Sequence, residues 1–103
     1  MVRIQSGSQG VHIFELLFHF YMPHTYILFS EKLNKYYVGS TSDIHRRIGD
    51  HNRGKEKFTR TGMPWQIVYS EQFEILADAR KRELQIKKQK SRKYIERLIA
   101  KAG

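Results

Sequence analysis

Cysteine is absent from this chain of 103 residues. That single absence removes disulfide frameworks, thiolate zinc sites and cysteine nucleophiles together, and makes a reducing cytoplasm the natural setting. Long apolar runs are missing too. The nearest candidate, from Val11 to Met22, is interrupted by Glu15 and two histidines and is shorter than the about 20 residues that a bilayer-spanning helix needs. One arginine precedes it and no small-residue cleavage site follows, so it lacks the form of a signal peptide. No membrane association is expected. Acidic residues are scarce: 10 Asp and Glu stand against 19 Lys and Arg, a net charge of +9. A field of that sign draws in polyanions, and nucleic acid is the expected partner. Internal repeats and low-complexity tracts are also missing.

The residues present are sufficient for one fold. Hydrophobic residues make up 40% and aromatics 13% of the chain, enough for one modest core and too much for a disordered tail. Residues 1–22 read as an N-terminal extension, flexible in composition across Ser6-Gly7-Ser8-Gln9-Gly10 and then apolar, with Met22 an alternative start. That apolar segment is expected to pack on the domain or on another copy. Residues 23–103 read as the domain itself.

Within the domain the pattern becomes regular. Thr25 to Phe29 and Lys35 to Gly39 are rich in β-branched and aromatic residues, and the polar Glu31 to Asn34 between them predicts a hairpin. Thr41, Ser42 or Asp43 can cap a helix through about Arg53, after which Gly54 to Pro64 reads as a polar loop. A third strand is expected from Trp65 to about Phe73, and a helix from Leu76 to about Lys88. Ser91 can cap a last helix with the stripe Tyr94, Ile95, Leu98 and Ile99. The expected order is ββαβαα.

Charge is distributed unevenly over this pattern. From Arg80 to Gly103, ten basic residues (Arg80, Lys81, Arg82, Lys87, Lys88, Lys90, Arg92, Lys93, Arg97 and Lys101) face two acids (Glu83 and Glu96). A weaker group, Arg46, Arg47, Arg53, Lys55, Lys57 and Arg60, faces Asp50 and Glu56. Basic patches interleaved with aromatics are the footprint of phosphate-backbone binding. Arg46, Arg53, Lys55, Lys57, Arg60, Lys87, Lys88, Lys90, Arg92 and Lys93 are the candidate nucleic-acid contacts. A solvated helix face is the lesser reading of such a run, given how lopsided the sign is.

The first helix places its apolar stripe at Ile44 and Ile48, so Arg47 and His51 fall on the inward side and Arg46 on the outer. In the next helix Glu83 lies angularly between Leu76, Ala79 and Ile86, where a carboxylate needs a partner or a metal. Each residue has an ordinary explanation. Glu83 can pair with Lys87 one turn on or with Arg47, His51 can be a hydrogen-bonded core-edge residue, and Tyr26 and Tyr37 suit strands. Taken together on one sheet face, the five offer metal ligation, phosphate neutralisation and a candidate base.

At these residues the chain resembles the GIY-YIG nucleases, in particular their small single-domain members. His24-Thr25-Tyr26 stands at the first triplet and Tyr37-Val38-Gly39 at the second, with Gly39 structural. The run Ser40 to Ile48, His51-Asn52, Phe58-Thr59, Pro64-Trp65, Val68-Tyr69, Arg82-Glu83 and Ile86-Lys87-Lys88 continues the pattern in order. The resemblance implies an α+β fold, a three-stranded antiparallel sheet flanked by helices, and metal-dependent phosphodiester hydrolysis. It implies Glu83 as ligand of one Mg²⁺ or Mn²⁺ ion, Arg47 as neutraliser of the scissile phosphate, Tyr37 ahead of Tyr26 as base, and His51 as assistant. The implied substrate is nucleic acid, DNA ahead of RNA, cut without sequence specificity or by structure during repair or recombination. A second copy or a repair protein would be the protein partner. Two departures stand out: His24 occupies a glycine position, and residues 86–103 lack the asparagine many enzymes of the wider family carry. A non-catalytic nucleic-acid-binding module and a protein-interaction domain are the other readings.

Overall fold

The structure, a computed structural model, describes residues 22–102. The extension expected over residues 1–22 therefore lies, except for Met22, outside the described residues. Strand β1 (His24–Ser30) and strand β2 (Lys35–Thr41) form the expected hairpin, followed by helix α1 (Ile44–Asn52) and a single 3₁₀ turn (Arg60–Gly62). Strand β3 (Trp65–Gln72), helix α2 (Leu76–Lys88) and helix α3 (Arg92–Ala102) complete the chain. The three strands make one antiparallel sheet in the order β2-β1-β3. The fold is α+β, as the resemblance implies.

β1 is central because its residues are apolar or hydrogen-bonded on both faces. Side chains alternate along a strand, so Tyr26 and Leu28 point to one layer and Ile27 to the other. All three are essentially excluded from solvent. On the first face Tyr26, Leu28, Ile44 and Trp65 form a core, with Tyr37 and Ile48 packed against it. On the reverse face Ile27, Val38 and Ile86 form a second core, joined by Tyr36, Tyr69, Tyr94, Ile95 and Leu98. α1 therefore covers one side of the sheet, and α2 and α3 cover the other. Each fully buried Ile or Leu contributes about 1.5–3 kcal/mol of transfer free energy, and both cores share the same strand.

Local chemistry sets the boundaries. Asn34 closes the hairpin turn with φ 52°, a left-handed conformation that Asn tolerates. Among the three expected caps of α1, Asp43 takes the position: its carboxylate accepts from the Arg46 amide at 3.1 Å. Ser91 caps α3 by accepting from the Tyr94 amide at 3.1 Å. At the other end of α1, the Asn52 side chain acts as a surrogate strand for Trp65, accepting from its amide at 2.6 Å and donating to its carbonyl at 3.0 Å. β3 carries an irregularity where the register steps from Ile27/Tyr69 to Leu28/Ile67, leaving Val68 as the additional residue.

Gly39 lies opposite Tyr26 in the β1–β2 register. A Cβ placed there would stand 2.5 Å from the Tyr26 hydroxyl and 2.7 Å from Cζ. The phenol ring lies across the bare backbone, and no side chain fits between them. Gly39→Ala is expected to lower unfolding free energy by about 1–3 kcal/mol in urea titration, and adding Tyr26→Phe should recover part of that loss by removing the nearer atom.

Candidate active site

Tyr26, Tyr37 and His51 meet on the α1 side of the sheet, and the Arg47 charge bears on both Tyr26 and His51. The Tyr26 hydroxyl lies 3.1 Å from His51 Nε2, and His51 Nδ1 lies 2.8 Å from Thr59 Oγ1. The Thr59 hydroxyl proton is directed at the Glu56 carbonyl, 3.4 Å away, so its oxygen accepts from Nδ1–H. His51 Nε2 is then the acceptor for the Tyr26 O–H. The Tyr37 ring meets the His51 ring edge-on at 5.0 Å between centroids and lies 6.5 Å from that of Tyr26. The result is a directional chain, Tyr26 to His51 to Thr59 to the Glu56 carbonyl.

Burial controls the protonation of this chain. It pushes the Tyr26 hydroxyl well above its ordinary value, with the neighbouring Tyr37, Glu83 and Glu56 adding to the rise and Arg47 opposing it. Burial also lowers His51 from the usual imidazole value, with Arg47 acting in the same direction and Glu56 and Asp50 against. Both groups are therefore neutral near pH 7, the state in which a tyrosine donates and a histidine accepts.

Glu83 approaches from the opposite layer. The sequence placed all five residues on one sheet face, and the structure corrects this. α2 packs on the reverse face, where the Thr25 hydroxyl donates to the Ala79 carbonyl at 2.6 Å. Glu83 there accepts from the Ser40 hydroxyl at 2.5 Å and pairs with Lys87 at 2.5 Å. β2 is an edge strand, and Gly39 beside Ser40 carries no side chain. The Glu83 charge adds to the rise at Tyr26 from this layer, while the carboxylate itself remains half-buried. The Lys87 pairing weighed from sequence is present.

Arg47 does not pair with Glu83, the alternative that the sequence left open. Its guanidinium donates to Glu56 Oε1 at 2.7 Å, with both side chains more than a third exposed. This pair borders a polar cleft of about 310 Å³ lined by Thr41, Ser42, Asp43, Arg46, Arg47, Asp50 and Glu56. A second groove of about 280 Å³ runs past Tyr36, Tyr37 and Val38 to Lys87, Lys90 and Ile95. Clefts thus open on the Arg47 side and on the Tyr37–Lys87 side of the site.

All ten candidate nucleic-acid contacts are exposed. Arg46, Arg53 and Lys55 gather around Asp50 at 3.9, 2.7 and 3.7 Å. Desolvation would raise the Asp50 carboxyl, and the Arg53 hydrogen bond with the Lys55, Arg53 and Arg46 charges outweighs it and holds the carboxyl below its ordinary value. The Arg60 guanidinium donates to the Gly54 carbonyl at 2.9 Å. Arg92 is engaged by protein groups: its guanidinium donates to the Asn34 carbonyl and side chain, each at 2.8 Å, and stacks over the Tyr36 ring at 4.9 Å. It clamps α3 to the hairpin and has few donors left for phosphate.

Sequence reasoning missed Thr59, Glu56 and Ser40. Thr59 was visible only as one member of the ordered series, and hydroxyl partners of a histidine leave no periodic signal. Glu56 sits in a loop, where spacing does not predict which helix it will meet.

The antiparallel sheet thus carries two strand tyrosines, with a helix arginine and histidine on one side and the Glu83 carboxylate on the other. Residues 22–95 match the GIY-YIG catalytic domain, and the chain belongs to the GIY-YIG family. It is 34% identical over 77 residues to the UPF0213 protein YazA of Bacillus subtilis, covering 71% of this chain and 78% of that protein. It is 42% identical over 57 residues to the UPF0213 protein SH2523 of Staphylococcus haemolyticus, covering 54% and 70%. Identity is 37% over 67 residues to the UPF0213 protein VNG_2274C of Halobacterium salinarum, covering 64% and 86%. No solved structure matches. No described helix is long and apolar enough to cross a membrane.

Two outcomes follow from the site's electrostatics. A histidine whose folded value lies below its unfolded value near 6.5 binds its proton in the unfolded chain first, so its contribution to stability is complete above that pH and declines below it. Wild-type stability is expected to fall as pH drops below about 6.5, and His51→Gln to flatten that part of the denaturation profile. An unchanged slope in the variant would place the effect in another group. Separately, Glu56→Gln should release Arg47 and strengthen duplex DNA binding at fixed salt, measured by fluorescence anisotropy.

Proposed function

We propose that the protein is a metal-dependent endonuclease that hydrolyses nucleic-acid phosphodiester bonds, acting on DNA by structure or without sequence preference, in repair or recombination. The observation that carries this reading is the Tyr26–His51–Thr59 chain, with Arg47 lining the cleft on the α1 side and Glu83 held by Ser40, the neighbour of the glycine that faces Tyr26.

The donor set suits a lightly held hard cation. Among the described residues no cluster of three or more His, Asp or Glu side chains could hold a metal on its own. Mg²⁺ and Mn²⁺ keep several waters and need only one or two carboxylates, which Glu83, beside the Ser40 hydroxyl, can supply. Such an ion, held by Glu83 when bound, would supply Lewis-acid stabilisation of the phosphate and acidify a water. Lys87 competes for the same carboxylate, so occupancy entails displacement of that ammonium.

The chain's own residues supply the remaining chemistry. Arg47 exchanges Glu56 for a phosphate oxygen and stabilises the charge that builds during displacement. Of the two tyrosines, Tyr26 has a base already in place, since its proton points at neutral His51. We therefore assign the relay to Tyr26 and His51, with Tyr37 walling the opposite side of the ring, a reversal of the order that sequence favoured. The raised affinity of Tyr26 for its proton has to be offset by positive charge, and Arg47 already acts in that direction.

A nicking assay on branched and duplex DNA with Mg²⁺, Mn²⁺ or chelator tests the reading. Arg47→Ala and Glu83→Ala should each reduce the rate roughly 10²- to 10³-fold with binding largely retained, and chelation should stop the reaction. Tyr26→Phe should be more damaging than Tyr37→Phe. Cleavage that survives both alanine variants, or continues in chelator, overturns the mechanism, whereas binding without cleavage under every condition would leave a non-catalytic module.

A further inference from the structure

We infer that Phe58 is a stacking platform for an unpaired nucleobase beside the cleavage site. Its side chain is 92% exposed, the most exposed of the large described hydrophobic residues. The other described phenylalanines, Phe29 and Phe73, are part-buried. An aromatic ring left in water on a loose surface loop would carry little meaning. Phe58 is not on a loose loop.

The backbone next to it is fixed from four directions. Thr59 is buried, its amide donates to the Glu56 carbonyl at 3.2 Å, and its hydroxyl accepts from His51. The Thr59 carbonyl accepts from the Trp65 indole at 2.6 Å and from the Gly62 amide at 3.1 Å. Two residues before the phenylalanine, Glu56 holds Arg47. Phe58 is therefore carried on a segment whose flanking residues touch Arg47 on one side and His51 on the other. The ring stands in solvent next to the site while its pedestal is locked to the site's own residues.

Its surroundings indicate what it receives. Lys57 is exposed and uncommitted on the same short segment, Lys55 and Arg60 are exposed beside it while also engaging Asp50 and the Gly54 carbonyl, and Glu56, the one acid among them, is already paired with Arg47. Cations that track a phosphate backbone, combined with an aromatic face open to solvent, form the arrangement by which proteins hold single strands. Every base has a π-face, so such stacking tolerates any sequence. A base within a duplex is stacked on its neighbours and is not available. Phe58 thus favours substrates with an unpaired nucleotide near the scissile phosphate, such as a flap, a junction arm or a frayed end. The inference deepens the nuclease reading and rests on it for the identity of the bond cut, but not for the stacking itself.

The test uses the full chain in chelator, so that binding is read without cleavage. Trp65, the only tryptophan, is 5% exposed and gives a steady background. Phe58→Trp adds a reporter at the platform, and its emission should be quenched saturably by oligo(dT) and little by a blunt duplex. Phe58→Ala and Phe58→Leu should each weaken oligo(dT) binding about 10-fold at fixed salt, with Phe58→Trp retaining it. The leucine variant separates stacking from simple apolar contact, and the high exposure of the position keeps all three variants folded. Oligo(dT) affinity unchanged in the alanine variant, or fully restored by leucine, overturns the inference. So does a light-scattering mass that falls in Phe58→Ala while oligo(dT) binding holds, since the ring would then be a contact between copies. Wild-type cleavage with unaltered binding in Phe58→Ala removes the platform and leaves the nuclease standing. Stacking observed in a protein that never cleaves does the reverse.

Discussion

Tyr26 and Gly39 face each other across β1 and β2, and the phenol ring fills the space that any Cβ at position 39 would need. Much of the site depends on that close approach. It directs the Tyr26 hydroxyl to His51, and so sets the orientation of the chain that runs on to Thr59. It also leaves the edge strand without a side chain next to Ser40, whose hydroxyl donates to Glu83 of the other layer. One missing methyl group therefore serves packing, hydrogen bonding and electrostatics at once.

The two layers have different duties. The α1 side holds the buried, hydrogen-bonded pair of Tyr26 and His51, which desolvation keeps uncharged. The α2 side holds Glu83, half-buried, between a hydroxyl and an ammonium. Separating them by the sheet keeps a carboxylate out of the apolar core around Tyr26, where an unpaired charge would be costly.

The loop between α1 and β3 connects these parts with the surface. Glu56 engages the arginine, Thr59 the histidine, and the Trp65 indole fixes the segment from below. The basic side chains around it divide into those bound to protein groups, such as the three gathered on Asp50, and those standing free on the surface, such as Lys57, Lys88 and Lys93. A sum of charges along the sequence counts both kinds equally, although only exposed and uncommitted groups attract phosphate at full strength.

The sequence by itself determined the order of elements, the inward positions of Arg47 and His51, the Ser91 cap and the family. Those features are written in local periodicity, capping residues and an ordered series of short motifs, all of which survive without knowledge of contacts. Only the tertiary structure decided that Glu83 lies in the opposite layer, that Arg47 pairs with Glu56, that Arg92 clamps the hairpin and that Tyr26 is the tyrosine joined to His51. Helical spacing gives the direction of a side chain relative to its own axis, but not which face of the sheet the helix will cover. Loop residues such as Glu56 and Thr59 carry no period at all, so their partners are set by where the chain returns, and that is a property of the whole fold.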